Sequence, residues 1–227
     1  MSELENSKDL ISVLWSGADI LRSKMDANEY KDYLLGIVFY KYLSDSFLIK
    51  VYDLIYDEKP KTLKMALEAY IEALEDESAE ELKEQIKSEF HYVIKPELTY
   101  TCFAENARNN AFNREALQKA FNHIEQSDPL FSDLFTDIDL YSNRLGAGDR
   151  KQSDTIASLI KEIDKADLLN SDSDVLGNAY EYLIGQFASE TGKKAGAYSR
   201  KTCDIQTESA KRWGGKGRCR IWQMKNG

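Results

Sequence analysis

Leu34-Leu35-Gly36-Ile37-Val38-Phe39-Tyr40-Lys41-Tyr42-Leu43-Ser44 is the stretch on which the fold turns. Extended in both directions it reads as one helix from near Asn28 to Tyr56, with Leu34, Leu35, Val38, Phe39, Tyr42, Leu43, Phe47, Ile49, Val51, Leu54 and Ile55 apolar. A helix that is apolar around so much of its circumference must be covered on more than one side, so this segment is expected at the centre of the fold. Gly36 inside it costs about 1 kcal/mol relative to Ala, which a closely approaching neighbour would offset. Lys59-Pro60 ends the unit, because the proline ring disfavours helix at the residue before it.

The flanking segments repeat the helical period. Upstream, Leu10, Ile11, Leu14, Trp15, Ala18 and Leu21 form one apolar stripe, with Ser7 as the expected N-cap. Downstream, helices are expected over Thr62–Leu74, Ala79–Phe90, Asn110–Ile124, Ser153–Ile163 and Val175–Ser189, the last capped by Ser171 or Ser173. The pattern loosens around Lys95-Pro96, leaving a loop with at most a short strand between His91 and Tyr100. Asp128-Pro129 closes the Asn110 helix, a short helix or turn carries Leu130, Phe131, Leu134 and Phe135, and Thr136–Gly148 is irregular. The predicted fold is an all-α multi-helix bundle of about six to eight helices, with room for a short β-hairpin near residues 91–101.

Composition narrows the function. A 227-residue chain with 42% apolar residues can bury a core without metal or disulfide help. No stretch approaches the roughly 18 uninterrupted apolar residues of a membrane helix, and Met1–Asp9 lacks the basic-then-apolar layout of a signal peptide, so a cytoplasmic location with no membrane partner is expected. Cys102, Cys203 and Cys219 are odd in number and far apart, which reads as reduced thiols. The net charge of −9 is uneven: from Lys193 onward ten basic residues face two acidic ones, a net +8 beside −17 in residues 1–192.

Sites for chemistry are absent by pattern. Glu68, Glu72, Glu75, Asp76, Glu77, Glu80, Glu81 and Glu84 read as a solvated face, since no Glu-x-x-His accompanies them. His91 and His123 sit in no nucleophile or ligand arrangement, and Asp133, Asp137 and Asp139 lack the glycine and glutamate of a calcium loop. No phosphate loop, dinucleotide fingerprint or nucleophile elbow occurs. Catalytic, cofactor-binding and metal-binding residues are therefore all expected to be missing. The tail's Tyr198, Trp213 and Trp222 among lysines and arginines suit electrostatic and stacking contact with nucleic acid, a composition that disordered or foreign sequence would share.

Three stretches together resemble a known family. They are Leu14-Trp15 with Ala18-Asp19-Ile20-Leu21-Arg22, Glu29-Tyr30-Lys31 and Leu35 to Ser44; Phe135 with Asp137-Ile138-Asp139-Leu140 and Ser142-Asn143-Arg144-Leu145-Gly146; and Asp172 to Ile184 with Phe187-Ala188 and Gly192-Lys193-Lys194-Ala195-Gly196. In this order they are similar to the N-terminal region of the modification subunit, an adenine-specific DNA methyltransferase, of type I restriction-modification systems. The resemblance implies a helical domain that helps close the subunit around DNA and contacts the specificity subunit, a further modification subunit and, in the full complex, the restriction subunit. It implies S-adenosylmethionine for the full-length family and none in this chain.

The family's catalytic part needs a Gly-Ser-Gly cofactor turn and Asn-Pro-Pro for the extruded adenine. Pro60, Pro96 and Pro129 are the only prolines and none are adjacent, so that motif cannot be formed here. Similarity stops at Ala197, where the basic, aperiodic tail begins. The expected division is a helical domain over 1–192 and a tail over 193–227 that is disordered or read from a shifted frame, leaving the subunit truncated before its catalytic domain. The residues expected to touch DNA or other subunits are Asn143, Arg144, Lys151, Lys193 and Lys194. The rival readings are a stand-alone acidic helical module that binds other proteins and, more remotely, a metal-dependent hydrolase using the acidic clusters.

Overall fold

A computed structural model describes residues 3–77 and 79–166. Seven α-helices and three short 3-10 turns are found among these residues, and no strand. The helices are α1 (Glu3–Arg22), α2 (Ala27–Tyr56), α3 (Leu63–Glu75), α4 (Ala79–Phe90), α5 (Tyr100–Arg108), α6 (Arg114–Ser127) and α7 (Asp149–Ile163). The described residues divide into two units at the Leu35/Gly36 step, those up to Leu35 belonging to one and residues 36–165 to the other.

In the first unit α1 buries Leu14, Ala18 and Leu21, the stripe that the period of 3.6 dictates. Its other flank carries Arg22, which pairs with Asp19 at 2.7 Å and lies over the Trp15 ring at 5.6 Å. The helix begins at Glu3, so Ser7 falls inside it and is not its cap. The amides of Lys24 and Met25 close on the Leu21 carbonyl, and the Asp26 carbonyl accepts from Glu29 and Tyr30 as α2 opens.

The second unit is organised by α2. Tyr40 and Phe47, two helical turns apart and therefore on one face, each gather a cluster of rings. Around Tyr40 stand Phe103, Phe121 and Phe135, with centroids 6.2, 5.4 and 6.1 Å away, and Phe121 and Phe135 stack at 4.1 Å. Around Phe47 stand Tyr70, Phe90 and Tyr92 at 5.5, 5.6 and 6.0 Å. The phenols caught in these clusters find backbone partners: Tyr40 donates to the Leu98 carbonyl at 2.6 Å and Tyr92 to the Leu43 carbonyl at 3.1 Å. Burial pushes both hydroxyls well above the usual phenol range, so they remain neutral donors.

Polar residues of the same α2 segment act as fasteners. The Ser44 hydroxyl accepts the Tyr100 amide at 2.7 Å, tying the start of α5 to α2, and Tyr100 in turn donates to the Ile160 carbonyl of α7 at 2.9 Å. Lys41 and Asp45, both 2% exposed, pair at 2.7 Å. Lys41 also lies 5.0 Å from the Tyr100 ring and 3.9 Å from the Asp164 carboxylate, which binds Arg108. A charged core of this kind fixes which helices meet, because each partner satisfies only one geometry.

Residues 91–101 form no hairpin. Tyr92 and Ile94 are buried, but Pro96 opens a 3-10 turn, and the Thr99 hydroxyl then accepts the Cys102 amide at 3.3 Å, starting a helix over a stretch to which the sequence pattern assigns no element. Pro96 has no amide to offer a ladder. Helix α5 spans only nine residues, too few to display a repeat. Helix α6 starts at Arg114, not Asn110, because Asn113 caps it through the Glu115 and Ala116 amides. Likewise α7 starts at Asp149, four residues ahead of the predicted Ser153. Glu68, Glu72 and Glu75 of α3 and Glu80, Glu81 and Glu84 of α4 are exposed, and Glu80 and Glu84 pair with Lys83 and Lys87. The predicted helix over 175–189, its serine caps and the basic tail lie outside the described residues.

Candidate functional site

The polar stretch Thr136–Gly148 is anchored by three buried apolar side chains, Ile138, Leu140 and Leu145. Local turns bridge the anchors. The Asp139 carboxylate accepts the Tyr141 amide at 2.9 Å and the Ser142 hydroxyl accepts the Arg144 amide at 3.3 Å, leading into a 3-10 turn over Asn143–Leu145. These are the short side-chain-to-backbone bonds by which Asp and Ser favour turns over helix.

Arg114 holds the loop against α6 and α7. Its guanidinium is almost wholly buried and donates to Gln152 Oε1, to the Leu140 carbonyl at 3.4 Å and to Asp149 at 2.9 Å, while lying 4.2 Å from the Tyr141 ring. Gln152 donates onward to the Tyr141 carbonyl at 3.3 Å, and Thr155 donates to the Leu145 carbonyl at 2.8 Å. The planar fork of Arg suits such a junction, since one group serves several acceptors in fixed directions.

Gly146 is required at the turn. Its φ is +157°, and a Cβ there would lie 2.7 Å from the Lys151 Cβ. Gly146→Ala is expected to destabilise the fold by about 1–3 kcal/mol, read as a lowered urea midpoint, because it adds an overlap to a strained backbone. Gly148→Ala meets no atom within 4 Å and pays only for its φ of +87°, so it should cost less.

The consequence is an outward edge of defined geometry. Asn143, Arg144, Arg150 and Lys151 are all exposed on it. The structure thus brings together three of the five sequence-predicted contact residues, Asn143, Arg144 and Lys151, while Lys193 and Lys194 lie outside the described residues. Sequence reading missed Arg114 and Arg150. Arg114 carried a signal only in hindsight, as a lone cation on an apolar helix start, and Arg150 is a surface residue like many others. His91 is exposed at a positive φ of 61° and pairs with Asp128 at 3.1 Å, and His123 is exposed on α6.

These features define a class: an all-α domain whose distinctive surface is a rigidly held polar loop leading into a cationic helix start. Comparison with known proteins specifies it further. The profile described as the HsdM N-terminal domain matches residues 10–163, and the chain belongs to that family. A second profile, N-6 DNA Methylase, matches residues 171–200.

The chain is 26% identical over 200 residues to the type I restriction enzyme MpnII methylase subunit of Mycoplasma pneumoniae, covering 82% of this chain and 36% of that protein. It is 28% identical over 197 residues to the MjaVIII methylase subunit of Methanocaldococcus jannaschii, covering 85% and 30%. A crystal structure of the type I restriction-modification system methyltransferase subunit from Streptococcus thermophilus is 49% identical and superposes with a TM-score of 0.77, over 83% of this chain and 40% of that one. The chain therefore spans about a third of the length of the curated relatives it matches.

The described residues do not fit S-adenosylmethionine. A cofactor turn needs open glycines at the end of a strand. No strand is present among the described residues, and their two positive-φ glycines, Gly146 and Gly148, frame the polar turn, where Lys151 fills the space above Gly146. Among the described residues no helix is long and apolar enough to cross a membrane.

Proposed function

We propose that this chain acts as the helical DNA-clamping and assembly domain of a type I DNA adenine methyltransferase, with methyl transfer and S-adenosylmethionine binding belonging to a catalytic domain whose motifs it lacks. The observation that carries the reading is the family match over residues 10–163, on a fold shared with a methyltransferase subunit at 49% identity. The partners are the specificity subunit, a further modification subunit and, in the full assembly, the restriction subunit.

DNA meets the edge formed by Asn143, Arg144 and Lys151, with Lys193 and Lys194 as further contacts. The edge suits that role because Arg144 and Lys151 are both exposed, one on a loop tied down through Leu140 and Leu145 and the other in the first turn of α7, and phosphate contacts are made by placed Lys and Arg. The acidic α3–α4 face is unsuited to DNA and faces solvent or protein.

Two measurements test this. The double variant Arg144→Glu/Lys151→Glu should weaken duplex binding and flatten the dependence of log affinity on log salt by about 2, one charge contact each. Size-exclusion chromatography with a cognate specificity subunit should give a complex that the variant still forms. Unchanged DNA affinity and slope in the variant would refute the DNA edge, and failure to form any complex would refute the assembly role.

A further inference from the structure

Beside the loop, a cleft of about 550 Å³ runs between the α5–α6 connection and α7, lined by Ala107, Asn110 and Phe112 on one side and by Arg150, Asp154 and Lys161 among the α7 residues on the other. Two features of sequence build it. Ala107 and Ala157 are small and buried, which lets α5 and α7 approach, and Asn110 adopts a positive φ of 56° that closes α5 and redirects the chain. Phe112 follows at once. It is held edge-on against buried Phe103, with centroids 6.2 Å apart and planes at 77°, and remains only half-buried.

The cations of the cleft are not neutralised by a neighbour on their own helix, as several surface lysines are. Lys50, Lys83, Lys87 and Lys165 each pair with a carboxylate three residues away. Arg150 and Lys161 form no ion pair among the described residues, in a chain of net charge −9. They stand eleven positions apart on α7, about 16 Å along its axis at 1.5 Å per residue. Between them lie the Asp154 carboxylate and the Ser153 and Ser158 hydroxyls.

We propose that this cleft binds a short unpaired segment of nucleic acid, with phosphates on Arg150 and Lys161 and one base stacked on Phe112. An aromatic ring across a groove from cations is an arrangement that holds single strands, because every base offers a π-face while only an unpaired one can reach it. The cleft holds about 550 Å³, room for a base and its flanking phosphates. Asp154 accepts hydrogen bonds when ionised, so it can take the donor of an unpaired base, the exocyclic amino group of cytosine or the N3–H of thymine. The proposal rests on the clamp reading above and places an unpaired strand beside the edge that meets the duplex.

The test uses the full chain with a fluorescent 12-nucleotide oligo(dC), and with oligo(dT) as comparison. Phe112→Leu, which keeps apolar packing on Phe103, and Lys161→Glu should each weaken oligo(dC) binding about tenfold, the size expected for one lost stack or one lost phosphate contact. Their thermal midpoints report folding separately, and the tail is present in every protein, so differences report the cleft. Photocrosslinking with 5-iodocytosine in the oligonucleotide should map to Phe112.

Crosslinks confined to residues 193–227, equal affinities for wild type and both variants, or full competition by polyglutamate would overturn the proposal. If duplex binding still depends on Arg144 and Lys151 while the cleft variants bind single strands as wild type does, the cleft fails and the clamp stands. If neither set of variants alters binding, both fail.

Discussion

Replacing Lys41 by Met is expected to lower the unfolding free energy by about 3–5 kcal/mol, the loss typical of removing one partner from a buried ion pair. The reason is geometric. Lys41 and Asp45 are each 2% exposed, one helical turn apart on the central face of α2. Without the ammonium, the Asp45 carboxylate stays in the core with its lysine gone, and the link to Asp164 at the end of α7, and through it to Arg108 at the end of α5, goes with it. The double variant Lys41→Met/Asp45→Leu should recover most of the loss, because an apolar pair of similar volume carries no desolvation cost. Chemical denaturation of both variants measures the difference directly. Equal destabilisation in single and double variants would mean that packing, not charge, sets the effect.

Phe121→Ala should cost about 3–5 kcal/mol, the range for emptying an aromatic site in a core. Phe121 is fully buried, stacks on Phe135 at 4.1 Å and meets Tyr40 edge-on at 5.4 Å, so its removal opens a void among three elements. Phe135 sits at the entrance to the polar loop, and the void should therefore also loosen Thr136–Gly148. The prediction is a lowered thermal midpoint together with faster hydrogen exchange in that loop. A surface aromatic such as Tyr141, which is 45% exposed, should cost far less when replaced by Ala.

The helices legible in the sequence were those long enough to show a repeat. Leu34 to Ser44 could be read as central because its apolar residues leave no free face, and the structure gives it that role through Tyr40, Phe47 and the Lys41–Asp45 pair. Helix α5 was not legible: its nine residues carry too few turns, and its start is set by Ser44 from another helix as much as by its own Thr99. Tyr92 and Ile94 alternate as a strand would, yet no neighbouring strand exists to pair with them among the described residues. The proposed contact residues were legible only as polar positions in and beside a loop. Asn143, Arg144 and Lys151 could be picked as loop polar residues, whereas the anchor that orients them, Arg114, lies 26 residues from Leu140 and 38 from Gln152 and is coupled to them only by the fold.

The central claim is that DNA meets the loop edge at the start of α7. Hydrogen–deuterium exchange of the full chain with and without a 30-base-pair duplex at low salt addresses it most directly. DNA bound at this edge should slow exchange across residues 142–152 and leave exchange in α3 and α4 unchanged. Protection centred on α3 and α4, or none between residues 142 and 152, would contradict it.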